Sequence, residues 1–255
     1  MATEQLIAVF VDYENLALGA KDIPGGDFRM ELVLKRLLEK GRIVFKRAYC
    51  DWGRYRSASN AFHSMGIEMI DIPHTKVSGK NSADIRMVVD AMDMCYAKDH
   101  IDMFALVSGD SDFSPLVSKL KENDKRVIGC GIKSSTSDLL VANCDEFIYY
   151  DDLARAASKK KSSREKSKGS SSNQDKTTEA LDHLVEIVTS LESDYDPVWG
   201  SQVKQTIKRV YPGFNETYYG YRSFSELLKD GEKKGLIKLD RDQDRGNYKV
   251  TTVNS

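Results

Sequence analysis

The chain has 255 residues, 30% charged and 40% hydrophobic, with a formal net charge of −1. This composition supports one sizeable core plus a second small one, and it excludes both a disordered chain and a general polyanion binder. No apolar run approaches the ~20 residues of a membrane helix, and the first residues lack the basic and apolar regions of a signal peptide, so the expected setting is cytoplasmic with no membrane partner.

The first ~150 residues alternate strand-like and helix-like segments. Leu6–Val11 reads as a buried strand closed by Asp12, and Phe28–Glu39 as a helix ended by Gly41. Ile43–Tyr49 is strand-like, Tyr55–Met65 helical, and Ile67–Ile72 a strand stopped by Pro73. Ala83–Ala97 is a helix with Ile85, Val88, Val89 and Met92 on one side. Met103–Val107, Arg126–Ile132 and Phe147–Tyr150 read as strands, separated by helices over Phe113–Glu122 and Asp138–Ala142. Such alternation predicts a doubly wound, mostly parallel α/β sheet covered on both faces.

Residues 158–178 carry seven Lys/Arg against two Asp/Glu and almost nothing apolar. The stretch 157–177 therefore reads as a basic flexible linker between a first domain over 1–156 and a second over 178–255. In the second, Glu179–Leu191, Val203–Val210 and Ser223–Lys234 have helical periodicity. Leu236–Leu239 and Tyr248–Thr251 are short strands around a polar turn. Three helices followed by a hairpin is a winged-helix order. The four cysteines are far apart and read as buried thiols, and the four histidines show no zinc spacing.

The chemistry resides in aspartates placed where strands end or helices begin. Asp12 closes the first strand, Asp110 and Asp112 follow the Met103–Val107 strand in Ser108-Gly-Asp-Ser-Asp-Phe113, and Asp84 opens a helix in Lys80-Asn-Ser-Ala-Asp84. Ligands of open parallel sheets bind beyond the carboxyl ends of the strands. Acids converging there repel unless a cation lies between them, and hard oxygen donors suit Mg²⁺ or Mn²⁺, the arrangement of many phosphodiester-cleaving enzymes. Asn15 adds a neutral oxygen and Ser108 a hydroxyl. Asp90 and Asp93, on the Asp84 helix, read as surface charge. A receiver-like phospho-acceptor domain would want adjacent acids after the first strand, whereas Tyr13 follows Asp12.

Val11-Asp-Tyr-Glu-Asn-Leu16, Lys80-Asn-Ser-Ala-Asp84 and Ser108-Gly-Asp-Ser-Asp-Phe113 resemble the three signatures of NYN domains, the PIN-like ribonuclease group, over about residues 5–152. The resemblance implies metal-dependent RNA hydrolysis with Asp12, Asp84, Asp110 and Asp112 as the acidic, metal-holding catalytic site, Asn15 and Ser108 as supporting groups, and Lys80 as a phosphate contact. A non-catalytic RNA-binding regulator keeping the same fold is the alternative.

Pro197-Val-Trp-Gly-Ser-Gln-Val-Lys204 and Tyr218-Tyr-Gly-Tyr-Arg-Ser-Phe-Ser-Glu-Leu-Leu228 resemble the OST-HTH or LOTUS domain, over about 178–252. That likeness implies RNA binding, or docking of a protein partner, with Lys204, Lys208, Arg209, Tyr218, Tyr221 and Arg222 as candidate RNA contacts. A homodimer stays open.

Overall fold

Leu6–Asp12 forms strand β1, whose side chains divide between two cores: Ile7, Val9 and Val11 enter one, Ala8 and Phe10 the other. A strand buried on both faces belongs in the middle of a parallel sheet. The structure, a computed structural model, describes residues 4–23, 28–73, 81–166, 172–242 and 246–253. It divides into two compact units, Met1–Ser162 and Ser163–Ser255.

After β1 the first unit runs α1 (Tyr13–Gly19), α2 (Met30–Lys40), β2 (Arg42–Cys50), α3 (Arg56–Ser64), β3 (Glu68–Asp71), α4 (Ser82–Ala97) and β4 (Met103–Val107). It continues with α5 (Ser114–Glu122), β5 (Arg126–Gly131), α6 (Asp138–Asn143), β6 (Glu146–Tyr149) and α7 (Tyr150–Lys166). The six strands form one sheet in the order β3-β2-β1-β4-β5-β6, every neighbouring pair parallel. Leu16, Met30, Val33, Leu37 and Phe62 of α1–α3 cover one face, while Met87, Leu116, Leu120 and Leu140 of α4–α6 cover the other. The direction of winding reverses between β1 and β4, which opens a crevice beyond their carboxyl ends. This is the doubly wound sheet that the alternation of segments predicts.

Two helices depart from the sequence reading. α1 is too short for periodicity to reveal; it starts because Asp12 caps it, accepting from the Asn15 backbone N–H. α7 extends through residues 157–166 of the basic stretch read above as an unstructured linker, and α8 (Ser172–Glu192) starts inside it. Alanines, lysines and arginines in this stretch are good helix formers, and Asp151 and Asp152 sit in the first turn, favoured by the helix dipole.

In the second unit α8, α9 (Gly200–Val210) and α10 (Phe224–Lys233) precede the antiparallel pair β7 (Ile237–Asp242) and β8 (Asn247–Thr252). Leu184, Val188, Val203, Ile207, Leu227, Leu228 and Val250 make its core. Ser223 caps α10 by accepting from the Glu226 N–H, and the Glu226 carboxylate accepts from the Arg222 N–H, which satisfies two amides at the helix start.

Asp93 is exposed, as expected, but Asp90 is not surface charge. It is 7% exposed and accepts from Arg47 Nη1 at 2.7 Å, the Tyr49 hydroxyl at 2.8 Å and Arg86 Nε at 3.0 Å. Facing β2 rather than water, it ties α4 to the sheet and so places the first turn of that helix. Removing the carboxylate leaves the buried Tyr49 hydroxyl without its acceptor and Arg47 paired with Glu68 alone. Asp90→Ala is expected to cost about 3 kcal/mol, read by chemical denaturation against wild type.

Candidate active site

The crevice at the β1/β4 reversal is built from two strand ends joined by hydrogen bonds. Asp12 ends β1 and is 7% exposed. One of its oxygens accepts from the Asn15 N–H at 3.3 Å, the other from the Ser108 hydroxyl at 2.9 Å. Ser108 Oγ in turn accepts from the Asp110 N–H at 3.2 Å, and Asn15 Oδ1 from the Gly109 N–H at 3.0 Å. Asp110 Oδ1 accepts from the Asp112 N–H at 3.0 Å, so Asp110 caps the single 3₁₀ turn that leads into α5.

Gly109 is required for this close approach. A Cβ there would stand 2.5 Å from the Ser135 carbonyl oxygen and 2.9 Å from Thr136 Cα. The loop after β5 is thereby pressed against the loop after β4, and the Ser137 N–H donates to the Gly109 carbonyl at 2.9 Å.

Burial and like charge act on the acids of this frame. Burial pushes the Asp12 carboxyl up to about 7 against the hydrogen bonds from Ser108 and Asn15, and the charges of Asp84 and Asp110 push the same way. Asp84, in the first turn of α4, is raised by burial and then by Asp110, Asp112 and Glu14. The structure therefore joins Asp12, Asn15, Ser108, Asp110 and Asp112 by hydrogen bonds, and the first turn of α4 places Asp84 near enough for its charge to be felt at Asp12. Lys80 lies outside the described residues.

Glu14 is the acid that sequence reasoning passed over. It stands in the first turn of α1, is ion-paired with Arg54 at 3.2 Å, and adds its charge to Asp84. The signal was its place two residues beyond Asp12 in the first motif.

The donor chemistry of this group, carboxylates with a hydroxyl and an amide oxygen, fits a hard divalent cation. Among the described residues no three His, Cys, Asp or Glu side chains are gathered into a ready-made cage, and both Asp12 oxygens are already engaged. The fit is therefore one of donor type and of crowded negative charge. The cysteines are chemically quiet: all four are free thiols, and burial pushes Cys50 and Cys130 up to about 12.

The model of the NYN domain matches residues 6–152 of this chain. The chain belongs to the NYN domain family. NYN domains are part of the PIN-like nuclease superfamily, a ribonuclease-type group that generally uses divalent metals. The OST-HTH/LOTUS model matches residues 176–246, a domain type associated with RNA binding.

The uncharacterized protein MJ0482 of Methanocaldococcus jannaschii is 29% identical over 137 residues, 54% of this chain and 52% of the relative. The chain thus spans about half the length of that relative. Among solved structures, a protein of unknown function from Vibrio parahaemolyticus RIMD 2210633, VPA0982, superposes with a TM-score of 0.53 at 24% identity. The match covers 60% of this chain and 97% of that one, and is a likeness of fold.

Beyond the NYN domain, Lys204 and Lys208 both approach Glu216 Oε1, at 3.5 and 3.8 Å. Arg209 is half-buried and donates to Thr206 Oγ1 at 3.2 Å. Tyr218 is exposed, with Lys176 Nζ 4.4 Å from its ring centroid, and the Arg222 side chain is exposed. Tyr221 is a correction. Its ring is buried in the second core and its hydroxyl donates to Asp230 Oδ2 at 2.7 Å, so it is unavailable for stacking on a base. Sequence shows the aromatic but not which way it turns at the start of α10.

The raised Asp12 carboxyl sets a pH dependence. In the native state it keeps its proton up to about pH 7, whereas unfolded it releases it near 3.8. The native state thus holds more protons in this window, and its stability falls as pH rises from about 4 to 7. In EDTA, Asp12→Asn is expected to gain about 2 kcal/mol relative to wild type on going from pH 5 to pH 8, measured by denaturant unfolding at each pH.

Proposed function

We propose that this protein is a ribonuclease dependent on Mg²⁺ or Mn²⁺ that hydrolyses RNA phosphodiester bonds and carries a C-terminal RNA-binding module. The observation behind this reading is the convergence of Asp12, Asp84, Asp110 and Asp112 at the β1/β4 reversal, where burial first, and then Asp84 and Asp110 acting on Asp12 and Asp110 and Asp112 acting on Asp84, raise the cost of ionisation. Asp12, Asp84, Asp110 and Asp112 would hold the cation, which would supply a water of lowered pKa and neutralise charge developing on the phosphate.

The chain's own contribution is position. Ser108 locks the Asp12 carboxylate to the backbone of Asp110, so the two acids keep one geometry. Asn15 fixes the Gly109 turn from the β1 side. Asp84 comes from the opposite face of the sheet, on a helix that Asp90 anchors. This separation lets acids from three segments approach one phosphate without sharing a flexible loop.

In the second unit Lys204, Lys208, Arg209 and Arg222 supply backbone contacts and Tyr218 a stacking face. Binding there raises the local concentration of RNA at the NYN domain. Lys204→Ala and Lys208→Ala are each expected to lower the salt slope of RNA binding by about 1, measured by fluorescence anisotropy between about 50 and 200 mM salt.

The deciding test incubates end-labelled single-stranded and structured RNAs with Mn²⁺, Mg²⁺ or EDTA, using wild type and Asp110→Asn. The expected outcome is metal-dependent product that falls at least about a hundredfold in the variant. Binding without product, equal in both proteins, would assign the chain instead to a non-catalytic RNA-binding regulator.

A further inference from the structure

A groove of about 680 Å³ runs beside the acidic site between α4, α5 and α6, and Asp84 and Asp112 belong to its lining. Its walls are apolar and open to water: Ile85 is 63% exposed, Val89 48% and Leu139 57%. Contiguous apolar surface of this kind, continuous with a polar site, marks a binding surface. Ser114 also lines the groove; it is 7% exposed, and its hydroxyl has no hydrogen-bond partner within the protein. That oxygen is shielded from the open side of the groove, so an occupant is held by the apolar walls and not by this hydroxyl.

We propose that this groove takes an unpaired nucleobase of the RNA strand, next to the phosphate at the acidic site; the proposal rests on the ribonuclease reading above. With a divalent cation between its phosphate and the Asp84–Asp112 end, a nucleotide would lay an apolar body with a hydrogen-bonding edge on the walls. Val88 and Val89 lie one helical turn, about 5.4 Å, beyond Asp84 and Ile85, close to the step from a phosphate to its own base. A base within a duplex has both faces stacked and its edge paired, so single-stranded RNA or a splayed loop is the substrate class implied. A second copy of the chain fits less well, because a symmetric contact here brings the Asp84 and Asp112 charges of both copies together.

The test uses the full chain and oligoribonucleotides in which one abasic ribose is stepped along the strand. Cleavage is read in Mn²⁺, and binding is read by anisotropy in Ca²⁺, which can bridge phosphate and carboxylate oxygens. Ile85→Gln/Val89→Gln is the main variant, both side chains being exposed and so compatible with folding. One abasic position should cost wild type about tenfold, whereas in the double variant the same abasic step should cost less than about twofold, since the base contact is already lost.

Equal abasic penalties in wild type and double variant at every position would overturn the proposal. So would a concentration-dependent dimer, seen by sedimentation, that the double variant abolishes while RNA binding and cleavage stay unchanged. If neither wild type nor Asp110→Asn yields product, the ribonuclease reading fails on its own. The binding scan then still decides: a position-specific penalty erased by the double variant upholds the base site, and its absence refutes it.

Discussion

Everything at the strand ends is organised by one constraint: several carboxylates are held closer together than they would choose. Left to themselves, Asp12, Asp84 and Asp110 would separate into water. The hydrogen bonds from Ser108 to Asp12 and from the Gly109 amide to Asn15 hold Asp12 and the Asp110 turn by joining β1 to β4, the two strands on either side of the winding reversal, while α4 sets Asp84. The fold supplies rigidity on a scale no loop could, because both strands are buried on both faces. Burial, with repulsion behind it, raises the cost of ionising Asp12 and Asp84, and carboxylates in that setting suit a divalent cation.

The packing behind the site serves the same end. Tyr13, directly after Asp12, is enclosed by Trp52, Tyr55 and Phe62, with ring centroids 4.9–5.3 Å away. The chain therefore turns from β1 into α1 over a firm aromatic base. On the opposite face Asp90 draws Arg47 and Arg86 together and fixes the run of α4. A buried ion network is a weak source of net stability, and its more evident effect here is orientation. The apolar groove beside α4 inherits that orientation, since its wall and the Asp84 carboxylate are parts of one helix.

Much of this was legible in the sequence for simple reasons. Buried parallel strands read as apolar runs, and Asp12 and Asp110 announced themselves by closing two of them. The second unit was legible through helical spacing and the order of three helices before a hairpin. What stayed hidden depends on contacts between distant segments. Asp90 looked like surface charge because its partners Arg47 and Tyr49 lie over forty residues away. Tyr221 looked like a stacking residue because the direction of one ring depends on the packing of α8 and α10. The helical part of the basic stretch was missed because a segment with nothing to bury was read as one with nothing to form, whereas local propensity is enough to extend an existing helix.

The acids of the site also hold the starts of the elements that follow them. Asp12 caps α1, Asp110 caps the turn before α5, and Asp84 sits against the N-terminal dipole of α4. Alanine scanning of this centre would therefore conflate two losses, since Asp→Ala removes a helix cap together with a charge. Asparagine keeps the capping oxygen and removes only the charge. Inactivity of an alanine variant would report a frayed helix as readily as a lost catalytic group, and only the amide replacements read the chemistry alone.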